Sequence, residues 1–227
     1  DQALLPIQDE LEMDETLDNV VKKLSEIEDY RDQFTRAFGS DEITSEKSYL
    51  ALEQYMNSII SVNSKYDKYL AGEAELSESE ERGRQWFFTE YNQFFPEQSG
   101  ADCAHFHSVS NFENDLYMNN GLDGDGEFAD FGREEATKDP KDKGRFKVTS
   151  LRNIELTAPY MHDGRFTSLY QVLNHYNSGI EFTETLHKDL KGVVKLSDDE
   201  TVYLVAFLLT LSEKEFFINP VFVFHSK

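Results

Sequence analysis

The sequence predicts a mainly helical protein with long irregular loops. Three observations support this fold class: apolar residues recur at steps of three and four in residues 1–80, helix-capping sequences precede two later apolar stretches, and no strand pattern of comparable length is present. Steps of three and four place apolar side chains on one face of an α-helix, whereas a half-buried strand alternates with a period of two.

The first part of the chain carries two apolar series. One runs from Asp14 to Phe38 as a helix or a helix pair, and Gly39 is a typical C-terminal stop. The other starts after Thr44, which is a suitable N-cap, and ends near Asn63. We expect both apolar faces to form core. Their members are Leu17, Val20, Val21, Leu24, Ile27, Tyr30, Phe34 and Phe38, then Tyr49, Leu50, Leu52, Tyr55, Met56, Ile59 and Ile60.

Two further helices are indicated by capping boxes. Ser77 and Ser197 each have a glutamate three residues later, ahead of aromatic and strongly apolar stretches respectively. Between them, residues 111–146 are rich in turn-forming Asn, Asp, Gly and Pro, and regular structure is expected again at Thr167–Tyr176. The sequence therefore predicts a long loop between two helical parts.

The composition excludes several classes of partner. Forty-four acidic residues against 22 basic ones give the 227-residue chain a net charge of -22, which repels nucleic-acid phosphates and attracts basic protein surfaces. No apolar run approaches the roughly 20 residues that a membrane-spanning helix needs. The single cysteine excludes an internal disulfide. We expect a chain that binds no nucleic acid and inserts into no membrane.

The one cysteine stands four residues before a histidine, in the order Cys103-Ala104-His105-Phe106-His107. A Cys-x-x-Cys-His sequence attaches haem through two thioethers while its histidine binds the iron. Phe106 replaces the second cysteine, so the pentapeptide by itself is also explained by a buried free cysteine beside an ordinary histidine. Its position between an aromatic helix and a long loop, with an apolar helix at the end, is typical of a small c-type cytochrome domain.

A resemblance to a known family rests on one long run. Arg145 to Leu169 reads RFKVTSLRNIELTAPYMHDGRFTSL, which resembles the signature of the bacterial di-haem cytochrome c peroxidase and MauG family. The resemblance covers nearly the whole chain. Other similar segments are residues 1–13, 83–88, 100–103 and 112–123.

The resemblance implies a cytochrome c-like helical domain preceded by the helices of an incomplete second one. Residues 1–76 are the remaining part of the N-terminal peroxidatic haem domain, 77–212 the electron-transfer haem domain, and 213–227 a C-terminal tail. The family's peroxidatic Cys-x-x-Cys-His would precede Asp1, where no leader pattern is visible. The chain is then truncated, processed or partly observed, or it comes from a lineage that has lost that haem.

For the electron-transfer haem, the resemblance implies Cys103 as the attachment point, through one thioether at most, and His107 as the proximal iron ligand. The family's distal ligand lies fourteen residues after His162, which is Tyr176 here. A methionine is common at that position, and a tyrosine occurs in MauG-type members. The resemblance therefore implies Tyr176 as the distal ligand, and Met161 and Met118 stay open as alternatives.

The resemblance also assigns residues outside that haem. Gln2 and Glu12 match a glutamine and a glutamate that line the peroxide pocket of the other haem, where a carboxylate can take up and return a proton, and Pro6 matches a neighbour. Thr157 and Pro159 match residues whose backbone carbonyls hold a calcium ion, together with an asparagine from the absent region.

The implied activity is the reduction of hydrogen peroxide with electrons from a small donor protein, such as a cytochrome or a cupredoxin, through the haem at His107. The family implies a periplasmic location and often forms homodimers, and a second haem is expected only with the N-terminal region. The alternatives are MauG-like peroxide-dependent oxidation, and a non-catalytic haem-binding electron-transfer module. Phe106 is the best single argument for a third, a haem-free acidic helical scaffold.

Overall fold

The computed structural model describes residues 3–92, 94–95, 98–108, 110–192 and 195–219. Within these ranges the chain is mainly helical with a single two-stranded ribbon, so the predicted fold class is confirmed. The chain forms two compact units, Asp1–Ile60 and Ser61–Lys227. The division lies earlier than the boundary that we expect after Leu76, because Tyr66 is buried in the core of the second unit.

The described residues of the first unit form four helices. They are α1 (Leu5–Gln8), α2 (Leu17–Ser25), α3 (Glu28–Phe38) and α4 (Ser45–Ser58). The apolar series from Asp14 to Phe38 is thus a helix pair. Gly39 ends α3 with a left-handed φ of 74°, and the Thr44 hydroxyl caps α4 by accepting the N–H of Lys47.

The expectation that both apolar faces form core is wrong for most of their members. The buried apolar side chains of this unit, among the described residues, are Ile7, Phe34 and Ile43, and α4 buries none. On α4 and just after it, Leu50, Leu52, Met56, Ile59 and Ile60 are all more than a third exposed. The physical reason is size, because four short helices offer too little surface to cover every apolar face within one small unit.

The second unit contains seven helices within the described ranges. They are α5 (Lys65–Leu70), α6 (Glu78–Phe88), α7 (Cys103–Phe106), α8 (Arg133–Thr137), α9 (Leu169–Asn174), α10 (Asp198–Leu209) and α11 (Lys214–Phe217). A π-helical turn, His175–Gly179, continues α9, and single 3₁₀ turns cover Pro140–Asp142, Ile154–Leu156 and Lys188–Lys191. The sequence predicts α6 and α10 with their capping boxes but not α5.

The predicted long loop contains short regular pieces. Strands β1 (Tyr117–Met118) and β2 (Phe146–Lys147) pair antiparallel, with Tyr117 opposite Lys147. Two-residue strands carry no readable alternation, so the sequence gives no signal for them.

The core of the second unit is built where α6 crosses α10. A Cβ atom on Gly83 would collide with the backbone carbonyl of Tyr203 on α10, so the two helices approach as closely as they do because residue 83 has no side chain. Phe87 on α6 and Phe207 on α10 are 1% and 0% exposed, and their ring centroids lie 5.1 Å apart. This crossing supplies one wall of the cavity described below.

No helix in the described part of the chain combines the length and the apolar composition that a bilayer core requires.

The Gly83→Ala variant is expected to lower the free energy of unfolding by about 1–3 kcal/mol, because the added methyl meets a backbone carbonyl that cannot move aside. Chemical denaturation followed by circular dichroism measures the change. Gly124→Ala is the control, since its Cβ would meet only the ends of two flexible side chains, Glu127 and Glu181. Equal stability of the two variants would contradict the close crossing.

Candidate functional site

A cavity of about 1230 Å³ lies in the second unit, next to the α6–α10 crossing. It is larger than the roughly 300–1,000 Å³ of a typical small-molecule site. Apolar side chains of α6, α9 and α10 line one part of it, including Phe87, Leu169, Leu173, Leu204 and Leu208. The cavity is therefore suited to a large and mostly apolar group.

Helix α7 presents the single thiol to this cavity. Asp102, in a left-handed conformation with φ of 53°, precedes the helix, and Cys103 is its first residue. Burial raises the pKa of the Cys103 thiol to about 12, and the nearby Asp102 carboxylate acts in the same direction. The thiol is therefore protonated and uncharged at neutral pH.

Phe106 occupies the position of the missing second cysteine and also lines the cavity. Its ring lies edge-on to two histidines, with centroid distances of 5.1 Å to His105 and 5.3 Å to His187. One thiol at this site allows one covalent attachment. With Phe106 in place of a cysteine, a haem would lose one covalent bond, but the ring keeps this part of the cavity wall apolar.

His107 lies at the end of α7 with its ring lining the same cavity. The ring Nδ1 is 3.1 Å from the Phe112 carbonyl oxygen and 3.2 Å from that of Thr149. Carbonyls only accept hydrogen bonds, so Nδ1 carries the proton and Nε2 holds the lone pair. Burial lowers the pKa of His107, which keeps the ring neutral. Nε2 makes no hydrogen bond to any described residue and has the state of a metal ligand.

The three candidate distal ligands, Tyr176, Met161 and Met118, all line this cavity. The Asn120 amide nitrogen is 3.4 Å from the Tyr176 hydroxyl oxygen and 3.5 Å from the Met161 sulfur, so it can donate to both. Burial raises the pKa of Tyr176, and the Asn120 hydrogen bond opposes that rise. The structure places all three residues at the same cavity and does not select one of them as the ligand.

Tyr176 lies on the π-helical turn that follows α9. Such turns are rare and occur often at functional sites, because one extra residue per turn re-aims a side chain. The preceding His175 is 4% exposed, and its Nε2 lies 3.1 Å from the Asn120 carbonyl oxygen. Asn120 thus contacts the first two residues of the turn. The sequence shows Asn120 only as part of a turn-forming Asn-Asn-Gly run, so its place in the site was not predicted.

The remaining predicted residues fall into two groups. Thr157 and Pro159 line the cavity, on the segment that follows the 3₁₀ turn Ile154–Leu156. In the first unit, Glu12 is exposed on a turn after α1 and its N–H donates to the Asp9 carbonyl oxygen at 3.1 Å, while Pro6 belongs to α1 itself. Gln2 lies outside the described residues.

The donor set fits a c-type haem held by one thioether. A neutral buried imidazole with a fixed Nδ1–H, a protonated thiol four residues earlier and a large apolar cavity are the groups that such a haem requires. Among the described residues no cluster of three or more His, Cys, Asp or Glu side chains forms a separate metal site.

Comparisons with known proteins also indicate a haem protein. Residues 1–75 match the model of the family described as di-haem cytochrome c peroxidase. The chain is 34% identical over 216 residues to the methylamine utilization protein MauG of Methylophilus methylotrophus, covering 93% of the chain and 60% of that protein. It is 32% identical to the cytochrome c551 peroxidase of Nitrosomonas europaea, covering 93% of the chain and 58% of that protein. The chain thus spans about three fifths of the length of these curated relatives.

Solved structures include two informative neighbours. The crystal structure of a MauG-like protein associated with microbial copper homeostasis superimposes with a TM-score of 0.85 at 30% identity, covering 98% of this chain and 71% of that one. The diheme peroxidase BthA from Burkholderia thailandensis gives 0.65 at 18% identity, over 95% of this chain and 63% of that one, a likeness of fold alone. Haem c is the cofactor that this family implies. On this sequence and structural similarity, the chain belongs to the di-haem cytochrome c peroxidase and MauG family.

Proposed function

We propose that this chain is the electron-transfer part of a periplasmic haem oxidoreductase that reduces hydrogen peroxide with electrons from a small donor protein. The observation that carries the proposal is the cavity in which the Cys103 thiol and the neutral His107 imidazole both lie. Both residues belong to segment 77–212, which the resemblance assigns to the electron-transfer domain. The names of the relatives, cytochrome c peroxidase and MauG, support the reaction class.

Each residue of the site has a distinct part in this proposal. His107 offers its Nε2 lone pair to the iron, and the two carbonyls at Nδ1 fix the orientation of its ring. Cys103 supplies the single covalent bond. A haem held there supplies redox chemistry, accepting and releasing one electron at a time. The apolar walls keep water away, which strengthens every polar contact inside the cavity.

MauG-like peroxide-dependent oxidation is the second candidate, and Tyr176 favours it. A phenolate ligand stabilises ferric iron and lowers the reduction potential relative to a thioether ligand. The hydrogen bond from Asn120 favours the ionised form of this tyrosine, although burial opposes ionisation. Two relatives named MauG, from Methylophilus methylotrophus and Methylorubrum extorquens, are 34% and 33% identical to the chain.

Further parts of the proposal concern groups outside this cavity. Glu12 with Gln2 serves a second haem, which belongs to the part of the relatives that this chain does not span. Calcium is held by the backbone carbonyls of Thr157 and Pro159, since a hard cation suits carbonyl oxygen. The electron donor is a small redox protein such as a cytochrome or a cupredoxin, and its basic surface would complement the net charge of -22. Homodimerisation is proposed from the family.

Changing His107 to alanine is expected to remove the proximal ligand and change the Soret band of the haem-loaded chain. His105→Ala is the matched control, because His105 is exposed and its Nε2 lies 3.0 Å from an Asp189 carboxylate oxygen. Absorption spectra of the ferric and ferrous forms measure the difference. No Soret band in carefully matured wild-type chain would refute every haem-based role.

Changing Tyr176 to phenylalanine is expected to shift the ferric spectrum and raise the midpoint potential, because the phenolate is lost. Met161→Leu and Met118→Leu are the matched variants and should leave the spectrum close to that of the wild type. An unchanged spectrum in the tyrosine variant, with a shift in one methionine variant, would assign the ligand to that methionine and remove the argument for MauG-like chemistry.

Changing Glu12 to glutamine in the protein that contains both haems is expected to slow peroxide turnover by roughly 10²–10⁴-fold, the usual contribution of a general acid–base group. The spectrum of the haem at His107 should not move, since Glu12 serves the other haem. Glu10→Gln, another exposed glutamate of the same turn, is the control. Equal turnover in the two variants would remove Glu12 from the mechanism.

A further inference from the structure

His107 is held between two loops that are far apart in sequence. Its Nδ1–H points at the Phe112 carbonyl oxygen, 3.1 Å away, and at the Thr149 carbonyl oxygen, 3.2 Å away. The Phe112 oxygen also accepts the N–H of Leu151 at 3.3 Å, so it ties the second loop to the first. The orientation of the imidazole therefore depends on how these two loops are fixed to each other.

Phe112 adopts a backbone conformation that a bulky residue rarely takes. Its φ is 52°, in the left-handed region, and its side chain is only 4% exposed. The ring packs into the core, with its centroid 5.8 Å from that of Tyr66 and 5.9 Å from that of Phe87. Such a conformation persists only where the surroundings hold it from several sides. Without that support the peptide would relax, and its carbonyl would turn away from His107.

Arg152 provides a second support, through its contacts with Asp67, Ser110 and the Phe112 ring. Its guanidinium donates to both Asp67 carboxylate oxygens at 2.9 Å and to the Ser110 carbonyl oxygen at 2.7 Å and 3.1 Å, and it lies 5.9 Å from the Phe112 ring centroid. The side chains of Arg152 and Asp67 are 13% and 17% exposed. One planar group thus connects α5 with both loops that face His107.

A short side-chain hydrogen bond closes the same arrangement. The Ser150 hydroxyl donates to the Asn111 carbonyl oxygen at 2.5 Å and accepts the backbone N–H of Arg152 at 3.1 Å. Asp67 is itself fixed by the Ser64 hydroxyl and N–H in the capping box of α5. Hydrogen bonds therefore connect α5 to both loops, in addition to the ring contact between Tyr66 and Phe112.

We propose that Arg152 and Asp67 are positioning residues for His107: their bidentate ion pair holds the strained Phe112 peptide so that its carbonyl accepts the His107 Nδ1–H. The inference rests on the proposed role of His107 as the iron ligand. A carbonyl acceptor at Nδ1 fixes the ring tautomer and increases the electron donation of Nε2 to a metal. The ion pair thereby lowers the reduction potential of an iron bound at His107, although neither of its side chains contacts the imidazole by a hydrogen bond.

Arg152→Gln is the decisive variant, and Arg84→Gln is its control. Arg84 also forms a two-pronged pair with a carboxylate, Glu81, at 2.7 Å for both bonds, but it has no hydrogen bond to the described residues of either loop. Nitrogen NMR of the histidines in the haem-free 227-residue chain reports the tautomer of His107. The signals of His107 are identified as those that are missing from the spectrum of the His107→Ala variant. We expect the Nδ1–H form to dominate in the wild type and in Arg84→Gln, and to give way to a tautomer mixture in Arg152→Gln.

Two milder variants keep the test decisive if Arg152→Gln does not fold. Arg152→Lys keeps the charge but cannot span Asp67 and Ser110 together, and Asp67→Asn keeps the shape but loses the charge. Both should shift His107 toward the mixture, and in the haem-loaded chain both should raise the midpoint potential above that of Arg84→Gln. Folded variants with the His107 tautomer and the potential of the wild type would overturn the proposal.

The two readouts separate this inference from the proposed function. If the wild-type chain binds no haem, the proposed function fails, while the tautomer shift in the haem-free chain still shows that the ion pair positions His107. If haem binds at His107 but none of the variants moves the tautomer or the potential, the positioning role fails and the proposed function stands.

Discussion

The contact on which the second unit depends is the crossing of α6 and α10 at Gly83. Because the backbone of Gly83 lies against the backbone carbonyl of Tyr203 there, Phe87 and Phe207 are brought together and fully buried. Phe112 packs against the same pair, with ring centroids 5.9 Å and 6.5 Å away. The loop that contains Phe112 therefore packs on this part of the core. A change in the helix crossing would move Phe112, and with it the carbonyl that faces the His107 imidazole.

Burial has the same electrostatic effect on three groups of the cavity. It raises the pKa of the Cys103 thiol and of the Tyr176 phenol, and it lowers the pKa of the His107 imidazole. In each case the uncharged form is favoured, although the chain as a whole carries a net charge of -22. The acidic surface and the neutral cavity are thus separate properties, the first suited to attracting a basic protein and the second to holding an apolar macrocycle.

The sequence predicted those features that local chemistry determines. The N-cap at Thr44 and the capping boxes of Ser77 with Glu80 and Ser197 with Glu200 lie where the sequence predicts them, and Gly39 ends its helix. The exposure of the apolar face of α4 could not be predicted. The spacing of apolar residues shows that a helix has such a face, but not whether another element covers it. Asn120 and Arg152 contact residues that lie tens of positions away in sequence, so no local sequence pattern predicts these contacts. The choice among the distal ligands depends on distances that spacing alone does not set.

The state of Cys103 has a practical consequence for the chain before any cofactor is attached. With a pKa of about 12, only about one thiol in 10⁵ is ionised at pH 7, and the thiolate is the species that reacts with oxidants and disulfides. Air oxidation, mixed disulfides with glutathione and cross-linking between molecules are therefore all slower than for an exposed cysteine. Cys103 of the folded chain is therefore expected to stay reduced during purification for longer than an exposed cysteine would.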